Sequence, residues 1–447
     1  MNVVDFIATK RDGGELSGED IREFIHGVAD GSVPDYQAAA WLMAAFLKGM
    51  NRRETLDLTL AMRDSGTRVD LSNLPNAPAV DKHSTGGVGD KTTLIVAPIL
   101  AAAGVPVLKM SGRGLGYSGG TVDKLESIPG FRTSLTISEA LPIVRNVGAA
   151  LIAQSAELAP ADKVLYGLRD VTATIECIPL IAASIMSKKL AAGGQRIVLD
   201  VKCGKGAFMK TRAQAEALAT ELVDIGCGAG VPTRAVLSRM DEPLGYAIGN
   251  ALEVQEALEI LEGRASTLEP AESAAAYREL CIELAAQGLE AAGKSPDLPS
   301  ARTLAGQLLS GGEAAKTFAS ISAAQGGPGT IEAIRAALPQ ASYRIPVISK
   351  AAGKITALNA EIIGKTATEM GAGRLKKTDV IDPAVGIVLA KKIGATVNPG
   401  DTLAYLAVNN LENAPAVCER VLSAYTFGEA DEENEAAELI LTTIPAS

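Results

Sequence analysis

The first 65 residues place apolar and polar side chains at the spacing of helices. Ser17 is suited to cap one helix, because its hydroxyl oxygen can accept a bond from a free N–H group of the first turn. The segment Tyr36–Leu47 is apolar nearly all round, so we expect its own domain or a second subunit to bury several of its faces. Asn51, with Glu54 three residues later, predicts the capped start of a helix that ends near Gly66.

From residue 79 onward the pattern changes to strands and helices in alternation, with glycine-rich loops after several strands. The predicted strands are short and apolar: Ala79–Val80, Val105–Met110, Val147–Ala153 and Arg196–Val201. Such an alternation predicts a mostly parallel sheet, in which ligands bind beyond the carboxyl ends of the strands. Two segments between the third and fourth strands, Pro160–Asp170 and Ile178–Leu190, predict helices that leave the sheet.

The pattern changes again after the glycines and proline of residues 325–329. From Tyr343 to about Val408 the chain is rich in β-forming residues, and Asn-Pro-Gly-Asp at 398–401 is typical of a turn. We therefore expect a third domain with antiparallel strands. The acidic run Glu429–Glu438 is interpreted as the solvent-facing side of a helix.

Composition and charge exclude several classes of protein. The 447 residues include 42 Lys and Arg against 52 Asp and Glu, and 47% are apolar, which is the balance of a folded chain with two or three domains. The net charge of −10 argues against a broad surface for nucleic acid or for an anionic membrane. Because His26 and His83 are the two histidines, we do not expect a zinc site.

Cysteine usage and hydropathy predict a soluble protein of the cytoplasm. The five cysteines are scattered without a C-x-x-C pair, so we expect reduced thiols rather than disulfides. The first residues carry charges at Asp5, Lys10 and Arg11 and show no apolar run of the kind found in a signal peptide. The longest apolar run, Leu94–Leu108, is too short to span a membrane.

Two glycine-rich loops carry the residues best suited to bind an anion. Glycine-rich turns also occur in plain strand–helix connections, but here the loops end neighbouring parallel strands and would face one cleft. Glycines let backbone N–H groups approach an anion, and the N-terminus of the next helix adds partial positive charge. The cationic and hydroxyl side chains around the two loops are Lys82, Ser84, Thr85, Thr93, Lys109, Ser111, Arg113 and Thr121. Together they favour a phosphate site over a purely structural turn.

The two helices that leave the sheet also carry polar side chains at helical spacing. Asp162, Tyr166 and Arg169 share one face of the first helix, and Ser184 and Lys188 share one face of the second. Isolated charged residues usually face solvent. Ser184 and Lys188, however, stand in a helix otherwise made of Ile, Leu, Ala and Met, so we expect them to meet a partner or a ligand.

The two histidines differ in their surroundings. His26 lies in the N-terminal helical region and is interpreted as structural. His83 lies within the first glycine loop among cationic and hydroxyl side chains, which favours a role in catalysis.

Six segments of the chain are long enough and distinctive enough in sequence to be compared with known families. They are Asp81–Asp90 (DKHSTGGVGD), Ser111–Glu126 (SGRGLGYSGGTVDKLE), Asp162–Glu176 (DKVLYGLRDVTATIE), Ser184–Ala191 (SIMSKKLA), Asp200–Lys210 (DVKCGKGAFMK) and Asp241–Ala257 (DEPLGYAIGNALEVQEA). Together they resemble the signature segments of the pyrimidine nucleoside phosphorylases, which include thymidine phosphorylase and the broader pyrimidine-nucleoside phosphorylase. The resemblance continues through the β-rich end and spans nearly the whole chain.

The resemblance implies a multi-domain α/β fold that forms a homodimer through the N-terminal helices. The implied divisions are a helical lobe of residues 1–66 joined in space by about 160–192, a mostly parallel-sheet α/β phosphate-binding domain of 70–158 and 193–335, and a β-rich domain of 343–447 with a barrel-sandwich or hammerhead-like form. A cleft between the helical lobe and the α/β domain would close around the substrates.

The implied activity is the reversible phosphorolysis of pyrimidine nucleosides. Inorganic phosphate is the co-substrate, no organic cofactor is expected, and the products are a free pyrimidine and an α-pentose 1-phosphate. By resemblance, phosphate is bound by Lys82, Ser84, Thr93, Lys109, Ser111 and Thr121. The pyrimidine is held by Arg169, Ser184 and Lys188, with Tyr166 beside them. Arg169 and Lys188 would stabilise negative charge on the departing base, while His83 donates a hydrogen bond or a proton to its carbonyl.

The resemblance also implies a cation site, usually for potassium, and here the sequence departs from the family. The site would map to backbone carbonyls of Gly89, Lys91, Leu244 and Ala247 and to the carboxylate of Glu256. Lys91 stands where a small hydroxyl residue is usual, so that its ammonium could crowd out the cation or substitute for it. A second departure is Tyr117-Ser118 in place of the usual His-Thr, which leaves His83 as the imidazole expected in the cleft.

Several alternatives remain at this point. Lys109-Met110 resembles the broad-specificity members, so we expect uridine, thymidine and deoxyuridine as substrates, with a strict thymidine phosphorylase as the close alternative. A phosphoribosyltransferase of the anthranilate type shares the fold, but it would need magnesium-binding carboxylates where this chain has Ser184 and Lys188. The segment Gly394–Leu403 resembles the hammerhead turn of biotinyl carriers, without a Met-Lys-Met attachment site. A phosphate-binding protein without catalysis would be separated from an enzyme by one phosphorolysis assay.

Overall fold

The computed structural model describes residues 2–76, 78–114, 119–155, 157–263, 271–376, 378–428 and 438–446. The chain begins with four helices: α1 (Val3–Arg11), α2 (Gly18–Asp30), α3 (Asp35–Lys48) and α4 (Arg52–Asp64). The predicted caps are confirmed, since Ser17 accepts a bond from Asp20 N, and Asn51 and Glu54 form a reciprocal capping box.

The next segment alternates strands and helices, as the pattern predicts. Its elements are β1 (Val80–Ser84), α5 (Thr92–Ala102), β2 (Val107–Ser111), α6 (Thr121–Glu126), α7 (Ile137–Val147) and β3 (Ala149–Ala153). Strand β1 is longer than the predicted Ala79–Val80 and includes His83, because it pairs in parallel with residues 196–200 of a later strand.

Two helices then leave the sheet, again as predicted: α8 (Pro160–Val171) and α9 (Ile178–Ala191). Helix α8 packs on α2 and α3, and α9 packs on α4. Leu165 of α8 and Leu180 of α9 share a buried core with Phe6, Phe24 and Trp41 of the first helices. Residues that carry the second half of the cleft are therefore anchored to the N-terminal helices.

The chain next returns to the α/β unit. Its remaining elements are β4 (Arg196–Cys203), α10 (Arg212–Gly228), β5 (Thr233–Arg239), β6 (Ala247–Ile248), α11 (Asn250–Leu261), α12 (Ala271–Ala291), α13 (Leu298–Ser310), α14 (Glu313–Ala324) and α15 (Ile331–Ala337). Strand β4 pairs in parallel with both β1 and β5, and β2 pairs in parallel with β3. The β2–β3 pair lies beside β1, where Val80 N donates to Pro106 O at 3.0 Å.

The final segment forms the predicted antiparallel unit. Its elements are β7 (Tyr343–Ile348), β8 (Gly353–Leu358), α16 (Ala360–Ala367), a π-helical turn (Thr368–Ala372), β9 (Gly386–Leu389), β10 (Thr396–Val397), β11 (Thr402–Val408), α17 (Ala414–Leu422), β12 (Tyr425–Gly428) and β13 (Ile440–Ile444). Two antiparallel sheets form, in the orders β10-β8-β12 and β6-β9-β11-β7. The predicted turn at 398–401 is present, with Asn398 N donating to Asp401 Oδ2 at 2.8 Å.

Two strands cross between the units, which the sequence pattern does not predict. Strand β6 follows the α/β strands in the chain but pairs with β9, and Tyr246 and Ile248 lie in the core of the β-rich unit. Strand β13 makes the reverse crossing. It follows the strands of the β-rich unit in the chain but pairs antiparallel with β5 of the α/β unit, with Ile444 opposite Ala235. Most of the acidic run at 429–438, namely residues 429–437, lies outside the described residues.

The helices and the cysteines bear on the compartment in which the chain folds. Across the described ranges, none of the helices has the length and apolar character needed to cross a membrane. All five cysteines, at positions 177, 203, 227, 281 and 418, are free thiols.

Candidate active site

A cleft lies where the two glycine loops face helix α9. The space that its walls enclose, including the open mouth, measures about 790 Å³, within the range of small-molecule sites. Seven of the residues predicted for the site line it: His83, Ser84, Thr93, Lys109, Ser111, Thr121 and Lys188. The structure thus brings together five of the six predicted phosphate residues with His83 and with one residue predicted for the pyrimidine.

Strand β1 sends its polar side chains in two directions, because successive residues of a strand point to opposite faces. His83 lines the cleft. Lys82 is buried on the other face, where its ammonium donates to the hydroxyl of Thr92 and lies 3.5 Å from Asp200 Oδ2. Lys82 is therefore the one predicted phosphate residue that the structure does not place in the wall of the cleft.

The first glycine loop is organised around Asp90, a cleft residue that the sequence analysis did not single out. Asp90 accepts bonds from the hydroxyl of Ser84 at 2.5 Å and from that of Thr92 at 2.7 Å. Burial alone would raise the pKa of the Asp90 carboxyl, but the ammonium groups of Lys82, Lys202 and Lys124 and the Ser84 bond hold it well below its usual range. Asp90 is thus a fixed anion that keeps the loop hydroxyls in place.

Two glycines allow the first loop to take its path. Gly86 has a φ of 85° and Gly89 a φ of 75°, in the left-handed region where side chains other than glycine are strained. Between them, a Cβ atom at Gly87 would lie 2.5 Å from the side chain of Met240. The loop backbone can therefore lie against its support and still border the cleft.

The second glycine loop contributes Lys109 to a group of three lysines, Lys109, Lys188 and Lys189, which we call the lysine cluster. All three line the cleft. The buried carboxylate of Asp81 lies 3.4 Å from Lys109 Nζ and 3.0 Å from Lys189 Nζ. Burial lowers the pKa of Lys109 from 10.5 to about 7 against the opposing charge of Asp81, and Lys189 and Lys82 lower it further. The cleft therefore contains an ammonium that can lose its proton near neutral pH.

Arg113, the other cation of the second loop, does not line the cleft. Its guanidinium donates to the carboxylates of Asp123 and Glu126, with bonds of 2.5 to 3.2 Å. Arg374 of the β-rich unit donates to the same Asp123 at 2.9 Å. Gly114 N also donates to Asp123, so this carboxylate anchors the start of the second loop. Leu115 to Ser118, with the departure at Tyr117-Ser118, lie outside the described residues.

His83 is half-buried and faces the lysine cluster. Burial lowers the pKa of His83 well below its usual 6.5, and the ammonium groups of Lys189, Lys109, Lys82 and Lys188 lower it further. At neutral pH the imidazole is therefore uncharged. One ring nitrogen then carries a proton and donates a hydrogen bond, while the other can accept one.

Lys188 approaches the cleft from the helical side and is held by two partners. Its Nζ donates to Asp162 Oδ2 at 2.5 Å and to Ser184 Oγ at 3.0 Å, and a quarter of its side chain is exposed. Ser184 is buried and does not itself border the cleft, but it contacts Lys188. The spacing that put Ser184 and Lys188 on one helical face thus corresponds to a direct contact.

Arg169 and Tyr166 do not line the cleft. The Arg169 guanidinium is buried, and it donates to the backbone carbonyls of Thr174, Ile175 and Leu180. These bonds hold the connection between α8 and α9, and burial lowers the pKa of Arg169. Tyr166, on α8, is 50% exposed.

The sequence analysis missed some residues of the cleft wall, among them Lys189, Gln154, Leu158 and Ile185. Lys189 had a recoverable signal, because the two adjacent lysines stand on an otherwise apolar helix. Asp81, which does not line the cleft but holds the lysine cluster, could have been found from its position two residues before His83 on the same face of β1. For Gln154, Leu158 and Ile185, nothing in the surrounding sequence indicates that they belong to a site.

Three of the five residues predicted to form a cation site, namely Leu244, Ala247 and Glu256, contact the ammonium group of Lys91, which is itself one of the five. Its Nζ donates to the carbonyl oxygens of Leu244 at 3.1 Å and Ala247 at 3.2 Å, and to Glu256 Oε2 at 2.5 Å. Gly89 lies against the Leu244 carbonyl, since a Cβ atom at Gly89 would be 2.4 Å from that oxygen. Because the ammonium occupies the point on which these oxygens converge, a metal ion does not fit beside it.

Comparison with known families defines the class of protein. Residues 4–66 match the helical bundle domain of the glycosyl transferase family, and residues 76–315 match its α/β domain. Residues 354–428 match the pyrimidine nucleoside phosphorylase C-terminal domain. The fold and the cleft are thus those of a glycosyl transferase made of these three parts.

Curated relatives narrow this class. The chain is 49% identical to the pyrimidine-nucleoside phosphorylase of Geobacillus stearothermophilus over 92% of each chain. It is also 49% identical to the enzyme of that name from Bacillus subtilis, over 94% of this chain and 95% of the relative, and 47% identical to that of Staphylococcus aureus, over 96% and 97%. The chain belongs to the pyrimidine-nucleoside phosphorylase family.

A solved structure shares the fold at lower sequence similarity. Anthranilate phosphoribosyltransferase from Thermus thermophilus aligns with a TM-score of 0.57 and 19% identity, over 73% of this chain and 99% of that one. At this identity the likeness shows the fold alone. It does not favour the phosphoribosyltransferase alternative over the reaction that the family matches indicate.

Proposed function

We propose that this protein catalyses the reversible phosphorolysis of pyrimidine nucleosides to the free base and an α-pentose 1-phosphate. The observation that carries the proposal is the cleft itself, in which hydroxyl-bearing glycine loops on one side face Lys188 on the other. Phosphate needs hydrogen-bond donors to hold its oxygens, and the departing base needs a cation opposite them, where its negative charge develops. The cleft provides both within one enclosed space.

On the phosphate side, the hydroxyls of Thr93, Ser111 and Thr121 and the ammonium of Lys109 are available, whereas the Ser84 hydroxyl donates to Asp90. We propose that these three hydroxyls donate to the phosphate oxygens, that Ser84 joins them by turning its hydroxyl from Asp90, and that Lys109 supplies the charge. Thr93 stands in the first turn of α5, whose N-terminus adds partial positive charge. Phosphate held in this way is oriented for attack on C1′ of the sugar.

Lys82 contacts the first glycine loop rather than the cleft. Its ammonium donates to Thr92, and the Thr92 hydroxyl donates to Asp90. In this arrangement Lys82 supports phosphate binding as a positioning residue, by fixing the first glycine loop. The direct contact that the family resemblance implies would require its side chain to leave Asp200.

On the base side, negative charge develops as the glycosidic bond lengthens. We propose that Lys188 stabilises this charge and that the uncharged His83 donates a hydrogen bond to the base carbonyl. Asp162 and Ser184 hold the Lys188 ammonium in place. Arg169 would contact the base only after exchanging one of its bonds to the carbonyls of the α8–α9 connection, which closure of the cleft would allow.

An ultraviolet assay of base release tests the proposal. Uridine and thymidine should both be cleaved with phosphate and neither without it. Their kcat/KM values should agree within about tenfold, since the 2′-hydroxyl and the 5-methyl group by which they differ each change specificity modestly. Lys109 in the cleft wall supports this broad substrate range. Release of base without phosphate would contradict phosphorolysis. A preference for thymidine of about 10³-fold would instead indicate a strict thymidine phosphorylase.

The lowered pKa of Lys109 predicts how phosphate use depends on pH. The ammonium is present below about pH 7 and is lost as the pH rises, so the KM for phosphate should increase about 25-fold between about pH 6.5 and about pH 8.5. In Lys109→Arg the guanidinium stays charged over this range, and the increase should become smaller. Initial rates at varied phosphate measure both. An equal increase in the two enzymes would show that Lys109 is not the titrating group.

We also propose that two copies of the chain associate through the N-terminal helices. Helix α3 buries Trp41 and Leu42, but Tyr36 and Leu47 on the same helix are 74% and 69% exposed. Apolar side chains left exposed in this way suit a contact between identical surfaces. Sedimentation equilibrium should give twice the mass of one chain, and a monomer at micromolar concentration would contradict the proposal.

We propose that the protein is located in the cytoplasm, because its cysteines are not paired in disulfides. All five cysteines are free thiols, which is typical of a reducing compartment. The reaction as proposed uses inorganic phosphate as its co-substrate, and no step in it requires an organic cofactor.

A further inference from the structure

Lys91 directly follows the first glycine loop, and its side chain crosses to a distant part of the chain. Its ammonium ends among Leu244, Ala247 and Glu256, the last of these on α11. Both Lys91 and Glu256 are almost completely buried. The side chain therefore links the loop that borders the cleft to the segment that enters the β-rich unit.

The oxygens around this ammonium are fixed by contacts of their own. Glu256 accepts backbone bonds from Tyr246 at 3.1 Å and Ala247 at 2.9 Å, and Leu244 N donates to Val88 O of the first loop at 2.9 Å. Gly245 is confined to glycine, because a Cβ atom there would lie 2.1 Å from Glu256 and 2.8 Å from Lys91 Nζ. The arrangement leaves little freedom for either charge to move.

A positive charge is required at this position. Two carbonyl oxygens and one carboxylate converge on a buried point, and a buried carboxylate without an opposite charge is strongly destabilising. An ammonium group has the same charge as a potassium ion and is close to it in size. Lys91 therefore satisfies the demand that a monovalent metal ion would otherwise meet, and it does so without a binding equilibrium.

We infer that Lys91 is a covalently attached replacement for a monovalent cation, so that this protein holds its first glycine loop in place without potassium. Three of the oxygens that would bind the metal, those of Leu244, Ala247 and Glu256, are in place, but the chain supplies its own occupant. The first glycine loop is then fixed to α11 at any concentration of potassium, and phosphate binding does not depend on that ion.

The first test uses the wild-type protein. Its melting temperature and its kcat/KM should be the same, within about twofold for kcat/KM, in choline, sodium or potassium chloride at equal ionic strength, because coupling to a bound effector is typically about fivefold or more. A rise of about tenfold with potassium, or a saturable rise in melting temperature specific to potassium, would overturn the inference.

The second test opens the site. Lys91→Ser removes the ammonium and leaves a hydroxyl oxygen, so it should melt at a lower temperature in choline chloride and recover saturably as potassium is added. Its kcat/KM should rise by about fivefold or more with potassium. Lys91→Met is the matched control, because its apolar side chain fills the space and should leave the protein destabilised in every salt. A Lys91→Ser protein that melts like the wild type in choline, or that melts lower and ignores potassium, would contradict the inference.

The two readouts separate this inference from the proposed function. The activity measurement rests on phosphorolysis being the reaction, whereas melting does not. Absence of phosphorolysis in all salts would count against the proposed function alone. Potassium-dependent melting of the wild-type protein would count against the role of Lys91 alone, and that measurement decides the matter even if Lys91→Ser does not fold.

Discussion

Replacing Lys188 with methionine is expected to lower kcat/KM for phosphorolysis of uridine and thymidine by about 10²–10³-fold, the usual effect of removing a charge aimed at the transition state. The ammonium is held by Asp162 and Ser184 at 2.5 and 3.0 Å and is partly exposed to the cleft. It therefore needs little reorganisation when the base leaves. The negative charge on the base develops during bond cleavage. The factor by which kcat falls should therefore be at least as large as the factor by which KM changes.

Two further variants identify the cause of that loss. Lys163→Met removes an exposed lysine from α8 and should leave the rate within about twofold of wild type, as expected for a surface position. Asp162→Asn keeps a polar partner for Lys188 and should cost less than Lys188→Met. If Lys188→Met retained nearly the wild-type kcat, Lys188 would not be stabilising the departing base.

Replacing His83 with alanine is expected to lower kcat/KM by about 10²-fold, within the range for loss of a hydrogen-bond or proton donor at the reacting group. His83→Gln should recover part of this loss, since an amide N–H can donate where the neutral imidazole does. Steady-state rates for the three proteins at saturating phosphate provide the comparison. Equal rates in wild type and His83→Ala would remove His83 from the mechanism.

The pKa of His83 adds a pH dependence to this prediction. Burial and the surrounding ammonium groups lower that pKa well below 6.5, so the imidazole becomes charged only in more acidic solution. The rate at saturating phosphate should therefore show no fall near pH 6.5, the usual value for histidine. A fall there that disappears in His83→Gln would mean that the imidazole titrates normally and that its neutral form is required.

Local sequence was sufficient to predict the elements that carry the site. The glycine loops, the capped helices and the pair Ser184 and Lys188 follow from spacing and from residue type, and the structure shows each of them. Unlike the first glycine loop, which also contacts Met240 and Leu244, the helix caps and the bond between Ser184 and Lys188 join residues close in the chain. Their geometry is therefore contained in short segments of sequence.

The direction of Lys82 could not be predicted in the same way. The pattern ends the first strand at Val80, whereas pairing with Arg196–Asp200 extends β1 to Ser84. Once the strand continues, its alternation turns Lys82 away from the cleft and turns His83 towards it. The register with β4 decides this, and that register joins segments more than a hundred residues apart.

The environments of Arg169 and Lys189 were also beyond local sequence. Arg169 bonds to backbone carbonyls of a connection in which Ala173 adopts a φ of 55°, an unusual conformation for alanine. Lys189 depends on Asp81, which comes from β1 on the other side of the cleft. The partner of Lys189 is therefore set by how the helical and α/β units meet, and the partners of Arg169 are set by the backbone conformation of the α8–α9 connection.

The return of β13 to the α/β sheet has a consequence for how this chain is made. Strand β5 acquires its antiparallel neighbour from a segment roughly 200 residues further on, a separation of the kind that slows folding. During synthesis its backbone N–H and C=O groups on that edge would stay exposed while the whole β-rich unit is assembled. An open strand edge is a template for association with other chains. The yield of correctly folded protein therefore depends on Ile440–Ile444 reaching β5 before another nascent chain does.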